Sequence, residues 1–237
     1  ERARTLGGFT RFRDVFGHYP RIHVNHSMNR ENIYWGSDRV DDPVIRWFAA
    51  RTTRSPRGWF QGHIDGSAYW WGDACAEHIT YARNLTFSDI NTAARNPSMP
   101  YRDPRRPLSR YWFSCSDAED AAEFVDLLAD ANQDRLQRQG GVCIVATHFG
   151  KGFCENGKVI ATVEERLREM AARPGWFPTV GGLLDRLRTL RDDDRLPAAE
   201  WRRMQYRWAF DLLLRKLRQR ARRLRPAALS SSTRASK

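Results

Sequence analysis

No stretch of this 237-residue chain comes near the ~20 consecutive apolar residues that a membrane-spanning helix needs. The sequence therefore reads as a soluble protein, or at most one attached to a surface. Cysteine is scarce: Cys75, Cys115, Cys143 and Cys154 form no C-x-x-C pair and no even spacing, which speaks against a disulfide framework or a zinc knot. They read as small core residues, and this reduced-thiol usage points to the cytoplasm. Internal repeats are lacking. Acidic residues are nearly missing from one region only: residues 201–237 hold 12 Lys and Arg against the single acid Asp211, leaving 28 basic and 27 acidic residues in positions 1–200. The net charge of +12 is thus a basic end on a near-neutral body, not a stripe built into a fold, and no nucleic-acid partner is expected.

What is there is organised around residues 140–153, Gly-Gly-Val-Cys-Ile-Val-Ala-Thr-His-Phe-Gly-Lys-Gly-Phe. A paired Gly, an apolar run of strand length and then a polar residue describe a buried strand that emerges into a loop at Thr147 and His148. In parallel sheets and barrels, ligands and chemistry collect at the carboxyl ends of the strands, where loops vary without disturbing the core. His148 is therefore the first candidate working residue. The alternative is a hydrogen-bonded histidine at the rim.

Before it, Leu6, Phe9, Phe12 and Phe16 mark a helix over 1–16, and Arg21 to Ser27 a short strand running into polar residues. His23 and His26 lie three apart, close enough to reach one ion if the strand ends between them; a hydrogen-bonded turn is the other reading. Asn25, Asn29, Arg30, Glu31 and Asn32 make this neighbourhood unusually polar. A helix with Val44, Ile45, Trp47 and Phe48 is expected within 41–60, followed by a basic loop with Pro56, and Ser67 is placed to cap a helix containing Trp70, Trp71 and Cys75. Ile79 to Phe87 alternates, with Arg83 on the apolar side, a costly place unless it meets an anion or carboxylate. Residues 91–110, with four prolines, suggest a lid or cover. Tyr111 to Ser116 is a strand with Asp117 at its carboxyl end, either a site carboxylate or the start of a helix over 118–139. Helices over 163–172 and 182–190 flank a short strand at 176–180, completing an α/β pattern. Beyond a polar break at 191–197, Trp201, Met204, Trp208, Phe210, Leu213, Leu214 and Leu217 form an apolar stripe on a strongly basic helix. That helix either docks on its own domain or contacts a surface or partner.

The segment from Gly140 to Arg188, with Val-Cys-Ile-Val-Ala-Thr-His-Phe-Gly, Gly175-Trp176-Phe177-Pro178-Thr179-Val180 and Leu183-Leu184-Asp185-Arg186-Leu187, resembles the closing strands of the polysaccharide deacetylase family. The resemblance implies a distorted (β/α) TIM-like barrel over 1–190, incomplete at its N-terminus, then a linker and basic helix over 191–225 and a disordered tail over 226–237. It implies a divalent metal ion, zinc foremost, and removal of acetyl groups from a carbohydrate. His148 matches the family's general acid, Asp117 the carboxylate that tunes it, Arg83 the arginine that orients the base, and His23 with His26 the metal-binding pair. The family's pair normally stands four apart, and no Asp-Asp strand precedes His23, so the expectation is a fragment lacking the first barrel strands. The chemistry is coherent: amide hydrolysis needs an activated water, a stabilised oxyanion and a proton for the leaving nitrogen, which a metal and an imidazole supply. A Cys143–His148 nucleophilic pair is discarded, because residues five apart on one strand face opposite sides. The competing reading is non-catalytic glycan binding, with Trp35, Trp70, Trp71 and Trp112 as stacking surfaces.

Overall fold

Four parallel strands run side by side in their order along the chain: β1 (Ile22–His23), β2 (Tyr81–Phe87), β3 (Tyr111–Asp117) and β4 (Val145–Ala146). The sheet is curled into a half-barrel within a mixed α/β fold, compatible with an incomplete α/β barrel. The computed structural model describes residues 1–26, 28–52 and 58–224. The expected basic loop around Pro56 and the expected disordered tail at 226–237 lie outside the described residues.

β2 and β3 are buried along almost their whole length. Both faces of a parallel sheet are normally covered, so the alternation in β2 does not mark one wet face. Its polar side chains lie inside instead: Asn84 Nδ2 donates to the Tyr101 hydroxyl (3.4 Å), and register with β3 shifts between Arg83 and Thr86. The covering helices are α1 (Arg2–Phe16), α2 (Pro43–Thr52), α3 (Gly72–His78) and the short α4 (Thr92–Arg95). After β3 come α5 (Ala121–Leu127) and α6 (Asp130–Arg138), then a hairpin of β5 (Cys154–Glu155) and β6 (Lys158–Val159), and finally α7 (Ala161–Ala172), α8 (Val180–Thr189) and α9 (Ala198–Leu224). Ala82, Leu85 and Trp112 pack with Ile45, Trp71, Cys75 and the α9 residues Trp201, Met204 and Trp208, while Tyr81, Phe113 and Cys115 pack with Leu184 of α8. A third cluster joins Phe124 and Leu127 of α5 to Val163 of α7 and Phe153. All four cysteines are free.

The structure departs from the sequence expectations at three places, each for a local reason. The helix expected over 118–139 is broken between α5 and α6, because Asn132 donates to the Asp126 and Leu127 carbonyls (both 3.1 Å) and Gln133 to that of Leu128 (2.6 Å). Side-chain amides thereby take up carbonyls that a continuous helix would bond through its backbone. Residues 176–180 are not a strand: Trp176 and Phe177 are exposed, and Thr179 caps α8 by accepting from the Gly182 amide (3.2 Å). Ser67 caps no helix but donates to the Gln61 carbonyl (2.9 Å) in a turn, and α3 begins at Gly72. The β5–β6 hairpin turns on Asn156-Gly157, both at positive φ, a two-residue turn whose Asn-Gly signature is plain in the sequence.

The stretch over 91–110 is fastened to the body of the fold. Arg106 is buried against Asp103 (2.5 Å), Asp41 (2.7 Å) and the Asp38 carbonyl (3.1 Å), and Trp112 donates to the Arg106 carbonyl (3.1 Å). Among the described residues no helix is long and apolar enough to cross a membrane.

Candidate active site

Because the strands are parallel, the loops after β1 and β4 leave the same edge of the sheet. In a flat sheet these outermost strands would stand ~14 Å apart, at ~4.8 Å per strand. The curl brings their loops together, and His26 Nε2 lies 3.0 Å from His148 Nε2. This imidazole pair, open to solvent at the carboxyl edge, is the centre of the candidate site.

Each ring is held from behind. Asn25, fully buried, accepts from His23 Nε2 (2.9 Å) and the Ile33 amide (2.9 Å) and donates to the carbonyls of Ile33 (3.0 Å) and Arg83 (3.3 Å). Every hydrogen-bonding position of its amide is used, which pins the end of β1 to β2 and to the following loop. Asn32 grips His26 itself, accepting from its amide (3.0 Å) and donating to its carbonyl (3.2 Å). Arg83 donates to the Asn25 carbonyl from within the core, its guanidinium 5.4 Å from the Trp35 ring. Its costly inward position thus serves to fix the residue immediately before His26.

His148 is oriented by a backbone group. Its Nδ1 stands 3.2 Å from the Glu119 carbonyl oxygen, and since a carbonyl only accepts, the proton sits on Nδ1 and the neutral ring keeps its lone pair at Nε2. Lys151 holds Glu119 by an ion pair (2.6 Å), which lowers the Glu119 carboxyl below the usual range. The His26 pKa is also lowered, first by partial burial and then by the positive charges of His148, Arg83 and Lys151. A charge on His148 therefore discourages a charge on His26.

The remaining sequence candidates fall elsewhere. His23 does not join His26: its Nε2 donates to Asn25, its ring stands edge-on to Trp71 (4.9 Å), and burial lowers its pKa to about 4. Asp117 does not reach the His148 Nδ1, which is taken by Glu119. It is ion-paired with Arg215 of α9, which also lies 3.2 Å from Asp211. Arg39 completes a buried cationic group with Arg83 and Arg215. Burial lowers its pKa to about 9, and it lies over the Trp35 ring (3.6 Å) and near that of Trp208 (4.9 Å), which compensates its lost hydration. A polar cleft of about 320 Å³, lined by Ser88, Asp117, Leu127, Asn132, Arg215 and Arg218 among others, opens where α9 meets the carboxyl ends of β2 and β3. A larger cleft of about 390 Å³ lies beside α8, toward the amino ends of β2 and β3 where Tyr81 bonds Asp185 and Tyr111 bonds Asp194, and so on the edge opposite the imidazole pair.

Three of the four tryptophans expected as stacking surfaces, Trp35, Trp71 and Trp112, are core residues. The exposed ring beside the site is Phe149, 73 % accessible and backed edge-on by buried Phe153 (5.1 Å). Asn25, Asn32, Glu119 and Phe149 are the site residues that sequence reasoning did not single out; the polar run from Asn25 to Asn32 carries the signal for the first two.

Among the described residues no group of three or more His, Cys, Asp and Glu is gathered as a metal site. Two nitrogens bound to one tetrahedral zinc at 2.0–2.1 Å would stand ~3.3 Å apart. The 3.0 Å separation of His26 and His148 fits two such ligands, and a backbone carbonyl on the far nitrogen is the usual support for a ligating histidine. His23 does not fit, because its Nε2 is committed as a donor to Asn25. The fold and site together define an α/β half-barrel with an imidazole pair at its carboxyl edge. No family model, no curated protein and no solved structure matches the chain.

Proposed function

We propose that this chain is a hydrolase of the polysaccharide deacetylase type, an incomplete deacetylase barrel that removes acetyl groups from a carbohydrate. The observation that carries the reading is the His26–His148 pair, two solvent-reached imidazoles with their Nε2 atoms 3.0 Å apart where a parallel half-barrel opens. Amide or ester hydrolysis needs one group to take a proton from water and another to return it to the leaving atom. His26, kept neutral by the charges around it, takes the proton as water attacks the acetyl carbonyl carbon. That proton passes across the 3.0 Å contact to the Nε2 lone pair of His148, whose Nδ1 proton rests on the Glu119 carbonyl, and from there to the sugar nitrogen or oxygen as the bond to the acetyl carbon breaks, leaving acetate. Arg83 acts as a positioning residue through Asn25, and Phe149 offers a face on which a sugar ring can stack. A divalent metal ion, zinc by donor type, held by the same two Nε2 atoms would supply Lewis-acid polarisation of the carbonyl in place of their proton transfer.

The test is acetate release from N- and O-acetylated oligosaccharides. His148→Ala is expected to lower turnover by ~10²-fold or more with no change in thermal unfolding. Near-normal turnover in the variant sinks the proposal.

A further inference from the structure

Helix α9 has two apolar faces, and the core uses only one. Trp201, Met204, Trp208 and Leu212 recur at i, i+3, i+7 and i+11 and are buried. On the opposite side Tyr206, Phe210, Leu213 and Leu217 recur at i, i+4, i+7 and i+11 and remain 53 %, 63 %, 42 % and 54 % exposed. Helical geometry places Arg202, Lys216 and Arg220 along one flank of this outer stripe and Arg203, Arg207 and Arg218 along the other, all of them exposed. The one acid between 201 and 220, Asp211, faces inward, accepting from the Ser88 amide (3.1 Å) and hydroxyl (2.8 Å). The outer surface of α9 is therefore an apolar strip over residues 206–217, ~17 Å long at 1.5 Å per residue, between two cationic rows.

We infer that this outer face docks on an anionic lipid bilayer, lying in the plane of the headgroups. An interfacial helix places its apolar strip at the acyl boundary, while Arg and Lys on either side extend to phosphates. Charge complementarity selects this occupant. A second copy of the chain would set arginine rows against arginine rows, and a nucleic acid would match the charges but leave the strip uncovered. The inference is independent of the acetyl-hydrolysis proposal, since none of these side chains belongs to the imidazole pair or its supports.

The experiment is co-sedimentation of the full chain with vesicles of phosphatidylcholine alone or with about a third phosphatidylglycerol. Wild type is expected to bind the anionic vesicles and to bind the neutral ones at least tenfold more weakly. The variant Phe210→Gln/Leu213→Gln/Leu217→Gln keeps every charge and changes only exposed positions, so it folds; it is expected to lose at least tenfold in binding to the anionic vesicles. Any of three results overturns the inference: no binding by wild type, unchanged binding by the variant, or a wild-type dimer in solution that the variant dissolves.

Discussion

His23 and His26 show two imidazoles three positions apart given opposite chemistry by their surroundings. His26 reaches solvent and His148; His23 is tied to Asn25 beneath the surface, and its pKa falls to about 4, mainly because burial strips hydration from the charged form and Arg83 adds repulsion. In the unfolded chain the same ring titrates near ~6.5. Between those values the unfolded state binds a proton that the folded state refuses. Stability therefore falls as pH drops from about 6.5 to about 4, by on the order of 3 kcal/mol, and this contribution is constant above and below the window. His23→Gln keeps a donor for Asn25 and removes the titration. Urea unfolding at about pH 7 and about pH 4.5 is expected to show a smaller loss in the variant than in the parent; equal losses would mean that His23 is not the titrating group. At this scale the sequence was informative about residue type and poor about partners. His148 at a strand end and Arg83 facing inward are legible from local pattern. The Asp117–Arg215 pair, formed across 98 positions of sequence, is not, because it depends on where α9 docks.

At the scale of elements, α9 belongs to the core as much as any strand. Trp208 is buried in the main cluster and offers its ring to Arg39, while Phe210, two residues on, is turned to solvent. Trp208→Ala is expected to cost ~3–5 kcal/mol in urea unfolding, and Phe210→Ala within ~0.5 kcal/mol of nothing. Equal costs for the two would refute the docking of this helix. The apolar period of residues 201 to 217 announces a helix but merges two stripes into one, since period alone does not say which face finds a partner. The break between α5 and α6 escaped the same kind of reading: Asn132 and Gln133 look like ordinary helical residues until they bond the carbonyls behind them. The strand expected at 176–180 failed for want of a neighbour, its apolar residues standing outside the sheet.

For the molecule as a whole, strand order and curl produce the site. Four parallel strands in chain order would keep the loops after β1 and β4 apart if flat; curled, they bring His26 to His148 across 122 positions of sequence. The alternation of strands and helices foretold the parallel sheet, but curvature is a property of packed layers and leaves no local mark on the chain. The central claim is that these two rings act as one proton-sharing unit. The most direct measurement is the rate of acetate release by His26→Ala, His148→Ala and the double variant, using an acetylated oligosaccharide that the parent hydrolyses. Groups acting as a unit are non-additive, so each single variant is expected to lose ~10²-fold or more and the double variant to fall no more than a few-fold below the worse single. Near-parental turnover in either single variant, or losses that multiply in the double, would contradict the account.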